Sequence, residues 1–174
     1  MVAASAFWII FRFIHVVSAI LWVGSAFAVF VFVEPTVAAF GPEGGRFMGY
    51  MVEKRKVPQV ITSLSGLTVL GGVVLYLKAS SGLDGDWIAS GPGIGFTIGA
   101  IAGIVAFVMG LVAIKPTVDR MSALGAEIQS AGGPPRPEQA ATMDRLTERF
   151  KALGKADLVL ILIAAATMAT ARYW

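Results

Sequence analysis

The chain contains one histidine, His15, inside an apolar run from Phe7 to Val33 that only Arg12 and His15 itself interrupt. An ionisable side chain within so hydrophobic a segment is a candidate functional group by default. Arg12, His15, Ser18, Trp22 and Ser25 recur at steps of 3, 3, 4 and 3, which places them on one face of a helix. Imidazole and thioether are ligands for haem iron or copper. Counting inward from Trp8 and from Trp174 brings Met168 to the depth of His15, whereas Met109, six residues before Lys115, falls in the opposite half. Arg12, Lys78 and Arg172 would lie above this pair, where cations suit haem propionates. The residues therefore predict haem b or copper held by His15, with Met168 as a second ligand and Arg12, Lys78 and Arg172 lining the cofactor. With a single histidine, ligation is His–Met, a single axial bond, or two copies of His15 meeting across a dimer. The competing reading is structural: a lone intramembrane histidine hydrogen-bonds a neighbouring helix and fixes its packing.

Other chemistries find less support. The absence of cysteine excludes disulfides, thiolate metal sites and cysteine nucleophiles. The serines and threonines have no base partner, and no metal-hydrolase spacing occurs, so a conventional enzyme is not expected. Glu34 is either a solvated carboxylate or a proton site, and Pro35 follows it. Gly91, Gly93 and Gly95 do not form a nucleotide loop, because no strand precedes them. Gly95, Gly99 and Gly103 form a repeated GxxxG pattern that Ala106 and Gly110 extend, a face that lets helix backbones approach closely. It predicts packing against another helix of the chain or against another subunit. Thr62, Ser63, Ser65, Gly66, Thr68, Gly71 and Gly72 favour close packing in the same way.

The elements that must position these residues follow from composition. Of 174 residues, 56 % are hydrophobic and 14 % charged, against roughly 25 % charged in soluble domains. One membrane domain is expected. Four segments approach the ~20 apolar residues needed to span a bilayer: 7–33, 57–77, 93–114 and 155–173. The last contains Asp157, expected at one interface, while Arg172 snorkels into the other. The first positive side chain is Arg12, so the first segment reads as a retained helix and not a cleaved signal. Arg46, Lys54, Arg55 and Lys56 follow the first span; Lys115, Arg120, Arg136, Arg145, Arg149, Lys151 and Lys155 follow the third. Only Arg12, Lys78 and Arg172 lie on the other side, which predicts cytoplasmic loops and both termini outside. Trp8, Tyr76, Trp87, Tyr173 and Trp174 form an outer aromatic belt, with Trp22 the exception. The run Glu53 to Lys56 meets anionic headgroups.

The breaker at 131–137 separates two stretches with helical stripes: Val118, Met121, Leu124 and Ile128, then Met143, Leu146, Phe150 and Leu153. The expected fold is an all-α, four-transmembrane-helix up-down-up-down bundle, with a cytoplasmic helical hairpin at 116–153 extending helices 3 and 4. The alternative is a pair of helices lying on the headgroups. Glu34-Pro-Thr-Val37 and Lys115-Pro-Thr-Val118 end helices 1 and 3, which suggests a parallel repeat. A net charge of +3 gives no case for nucleic acid. The partners expected are the lipid bilayer and a homodimer or larger membrane complex. In that last case the chain would be a non-catalytic accessory subunit.

Arg12-Phe-Ile-His15 followed by Trp22-Val-Gly24 resembles the first helix of the CopD-like copper-resistance membrane proteins, with a histidine, a tryptophan seven later and a glycine after it. Arg46-Phe47, the stretch from Gly72 to Tyr76 and the Ala171-Arg172-Tyr173 end are similar to small bacterial membrane proteins grouped with them, mostly of unassigned function. The resemblance covers most of the chain. It implies a helical bundle in the bacterial inner membrane, binding copper or haem through His15. Protoporphyrinogen oxidases of the HemJ type share the His-to-Trp spacing, but their following Gly-Leu and Pro-Arg pattern is not matched here.

Overall fold

The computed structural model describes residues 2–174, with side chains from residue 6 onward. Among the described residues there is no strand. Helix α1 (Val2–Ala28) runs through a five-residue π turn, Val29–Val33, into α2 (Glu34–Phe40). Gly41, at φ 54°, turns the chain into α3 (Pro42–Glu53). Such a positive φ is open to glycine at no steric cost. Helix α4 (Val57–Ala79) places Pro58 in its first turn, where a missing N–H is harmless. The short α5 (Gly85–Ala89) is capped by Asp84, whose Oδ1 accepts from the Trp87 N–H at 2.8 Å. Ser90 caps α6 (Gly91–Met109) in the same manner, accepting from the Gly93 N–H at 3.2 Å. The Gly91-Pro92-Gly93 sequence is therefore a helix start, as expected. A second π turn, Gly110–Ile114, leads into α7 (Lys115–Ser130); α8 (Pro137–Thr170) closes the chain with a 3-10 turn, Ala171–Tyr173.

Four helical stretches are long and apolar enough to cross a membrane: Ala6–Phe40, Val57–Ala79, Gly91–Ser130 and Pro137–Tyr173. Neither Pro35 nor Pro116 ends its helix: the first stretch is longer than the sequence pattern suggests, and the third continues past Pro116 to Ser130. A proline inside an α-helix removes one backbone bond and strikes the carbonyl four residues earlier. In both places the preceding turn widens. The Glu34 N–H reaches back five residues to the Val29 carbonyl, and the Lys115 N–H likewise to that of Gly110. The threonine after each proline then donates to the carbonyl four residues before it, Thr36 to Phe32 at 2.7 Å and Thr117 to Ala113 at 2.8 Å. The Pro-Thr-Val match is thus one local structure built twice. Beyond it the halves diverge, since α2 stops at Gly41 while α7 continues to Ser130.

The principal packing partners are α1 with α4, and α6 with α8. A core of Trp22, Ala26, Ala106 and Ile161 joins the two pairs, with Phe30, Ile61, Leu64, Phe107 and Leu158 around it. Phe30 and Phe150 lie 5.2 Å apart, ring centre to ring centre, and Phe30 also fills the space over Gly154, where a Cβ would overlap its ring. Outside this seam the surface is apolar. Ile9, Phe13, Ile20, Leu70 and Val112 are all exposed, as suits helices whose solvent is hydrocarbon. Near the tip of the α7–α8 hairpin there are polar contacts. Glu127 Oε1 accepts from Gln139 Nε2 at 2.9 Å and from Arg136 Nη2 at 3.2 Å, the latter an exposed pair worth about 1 kcal/mol at most.

Candidate functional site

His15 sits in the α1–α4 seam, half-buried. Gly71 and Gly72 make the space for it: a Cβ at 71 would lie 3.2 Å from the His15 Cβ, and one at 72 would lie 2.9 Å from the ring Cε1. The imidazole Nδ1 is 2.7 Å from the Thr68 carbonyl oxygen. A carbonyl only accepts, so Nδ1 carries the proton and the lone pair resides on Nε2. Thr68 ties the seam together from the other side. Its Oγ1 lies 3.0 Å from Ser18 Oγ and 2.8 Å from the Leu64 carbonyl. Ser18 in turn donates to the Ile14 carbonyl at 2.6 Å. The polar stripe read from steps of three and four is therefore real over His15, Ser18 and Trp22, the latter two being buried, while Arg12 at its N-terminal end is exposed.

The other expected members of the site are distributed. Met168 belongs to the α6–α8 seam, where its Cγ would meet a Cβ on Gly99 at 2.6 Å. Lys78 lies over the Trp8 ring, 5.2 Å from its centre, and Arg172 is exposed on the final turn. His15 and Met168 thus occupy different seams. The glycine face of α6 has a clear partner within the chain. Gly95 faces Ala171, Gly99 faces Met168 and Thr167, and a Cβ on Gly103 would lie 3.9 Å from the Ala164 methyl; one on Gly110 would meet nothing within 4 Å.

No family model, curated protein or solved structure matches this chain. No group of three or more His, Cys, Asp or Glu side chains capable of holding a metal occurs among the described residues, so any metal at His15 would complete its coordination with other donors.

A second site was not anticipated. Asp157 was expected at an interface with water, yet it is buried at 5 % exposure. Its Oδ1 is, among the described residues, the one buried side-chain oxygen or nitrogen with no hydrogen-bond partner. Asp157 lines a cavity of about 120 Å³ together with Trp22, Phe30, Ser65, Phe107 and Phe150. The nearby hydroxyls offer it nothing, since Thr62 donates to the Pro58 carbonyl and Ser65 to that of Thr62. The sequence signal was an acid inside an apolar stretch. Its proximity to Lys155 and to the loop made the interface the simpler placement, and helical phase alone did not say that position 157 faces Phe30 and Phe107 across the bundle. Glu34, the other acid considered, is paired with Lys151 at 3.4 Å.

Proposed function

We propose that the protein is an up-down-up-down four-helix bundle of the bacterial inner membrane, with both termini outside, that handles a metal or redox cofactor through His15. The observation carrying this is the 2.7 Å contact between His15 Nδ1 and the Thr68 carbonyl. Metal-binding histidines characteristically donate their second ring N–H to a carbonyl or carboxylate, which fixes the tautomer and leaves the other nitrogen as the ligand. His15 meets that requirement before any metal binds. The step-wise pairing of His15 with Gly71 and of Ser18 with Thr68 supports an antiparallel α1 and α4. That of Gly95 with Ala171 and of Gly99 with Met168 supports the same for α6 and α8. The basic residues on the α7–α8 side support a cytoplasmic location for that hairpin.

Haem b or copper bound at Nε2 would supply one-electron chemistry. The chain offers one ready ligand. Met168 would have to leave Gly99 to become a second, and a copy of His15 from another molecule is the remaining source. Arg12 and Arg172, both exposed near the outer end, are free to meet propionates. The alternative, an accessory subunit of a membrane complex, would use α7 and the first half of α8, since Gly95 and Gly99 are already covered by α8.

The experiment is purification in detergent after expression with haem and copper supplied, followed by a visible spectrum and metal analysis of the wild type and of His15→Ala. A Soret band or stoichiometric copper that disappears in His15→Ala supports the reading. A colourless, copper-free wild type sinks it.

A further inference from the structure

The cavity beside Asp157 lies between the two π turns. Val29, Phe30 and Val33 line it from the first, and Gly110, Leu111 and Ile114 from the second. Each turn leaves a backbone acceptor short of a donor. The Glu34 N–H bonds to Val29 rather than to Phe30, and Pro35 has no N–H to offer. The Phe30 carbonyl thus lacks both the donor four residues ahead and the one five ahead. Leu111 is in the same position, because the Lys115 N–H bonds to Gly110 and Pro116 follows. Two of the residues that line the cavity therefore have carbonyls relieved of their helical donors, and Asp157, whose Oδ1 has no hydrogen-bond partner, lines it with them. In a membrane interior each such group is costly to leave unmade.

Apart from Thr62 and Ser65, whose hydroxyls donate to their own helix, and Lys115, the rest of the wall is apolar, with the rings of Trp22, Phe30, Phe107 and Phe150 among it. The one cation among the lining residues, Lys115, has its ammonium on Asp119 at 2.7 Å. The volume, about 120 Å³, approaches the roughly 150 Å³ of an apolar cavity that takes up benzene. An excess of acceptors inside an aromatic, benzene-sized chamber defines a ligand with an apolar body and a positively charged donor head.

We propose that this cavity binds a small organic ammonium ion, with Asp157 as counter-ion and the Phe30 and Leu111 carbonyls as further acceptors for its N–H groups. The site is independent of His15, and its test is separate from that of any metal.

Calorimetric titration and thermal unfolding of the detergent-solubilised full chain, with cyclohexylammonium and with cyclohexanol as the uncharged counterpart, test the assignment. The wild type is expected to bind and be stabilised by cyclohexylammonium and not by cyclohexanol. Asp157→Asn keeps the shape of the side chain and removes a buried charge, so it is expected to fold while binding the amine weaker by about tenfold or more. Pro35→Ala, which restores an N–H near the Phe30 carbonyl, is expected to weaken binding by a smaller factor. Equal responses to amine and alcohol, an amine affinity unchanged in Asp157→Asn, or stabilisation matched by sodium or potassium chloride at equal concentration would each overturn the proposal.

Discussion

The two helix pairs solve one packing problem with different chemistry. Between α1 and α4 the close approach is made by glycines that receive a polar ring, and the seam is laced by His15, Ser18 and Thr68. Between α6 and the chain's last helical stretch the glycines are on the other partner, and they receive Ala171, Met168, Thr167 and the edge of the Trp174 ring, with no ionisable side chain among them. Yet both pairs enter the charged side of the molecule through the same π turn, proline and threonine. The shared element is backbone geometry; the divergent element is side-chain content. If a duplication underlies the two halves, their helix-to-arm transitions were kept and their seams were free to specialise. The seam with the histidine is then the one that holds an imidazole where its counterpart packs without one.

The largest effect should come from the apolar seam. Gly99→Leu drives a side chain into Met168 and Thr167, with Met168 Cγ already 2.6 Å from where the Cβ would sit. Overpacking of this kind costs about 3 kcal/mol or more, and thermal unfolding in detergent should show it as a large fall in midpoint. A Gly99→Leu protein as stable as wild type would mean that α6 and α8 are not held at this distance. Next comes His15→Ala, which removes a half-buried ring and its bond to Thr68 for about 1–2 kcal/mol by the same assay. If it costs as much as Gly99→Leu, the polar seam is structural after all, and the comparison above fails.

Gly72→Ala sharpens the contrast further. Its Cβ would meet the His15 ring at 2.9 Å, and a ring can swing aside where backbone cannot. The stability loss should be about 1 kcal/mol, but Nδ1 should lose Thr68. Nitrogen-15 chemical shifts of the imidazole read that directly, as a loss of the single fixed tautomer. The smallest effects belong to the repeated element. Thr36→Val and Thr117→Val each delete one hydroxyl-to-backbone bond, worth about 0.6 kcal/mol in membrane helices. Equal small shifts would confirm that the two transitions are energetically alike; a tenfold disparity in unfolding equilibrium would show that they are not.

How far these features were legible depends on what sets them. Hydrophobic runs show directly where helices capable of crossing a bilayer lie, and Ser90 with Pro92 marks the start of α6 as a cap and first turn should. The break between Ser130 and Pro137 was equally plain from its glycines and prolines. The α3 helix was not, because Pro42, Gly44 and Gly45 read as loop residues and the single buried contact of Gly44 against Val37 is tertiary. Of the candidate site, the stripe of His15, Ser18 and Trp22 was visible from periodicity. What it faces was not, since Thr68 enters through its backbone carbonyl, which no side-chain pattern reports. Met168 was assigned by depth alone, and depth does not distinguish one seam from another. Asp157 escaped for a related reason: its neighbours Phe30 and Phe107 come from other helices.

The π turns have one more consequence. A helix advances about 100° per residue, so a single surplus residue acts as a phase shifter. The directions of side chains beyond Val33 and beyond Ile114 are not those that a continuous 3.6-residue count from the apolar segment would give. This offset is part of what brings Glu34 round to Lys151, at 3.4 Å. Closing the first turn to α geometry without removing a residue would leave the same composition and nearly the same length of apolar helix. It would nonetheless rotate α2 by about 100° and part that ion pair, whereas deleting the surplus residue along with the closure would keep the arm on its present bearing.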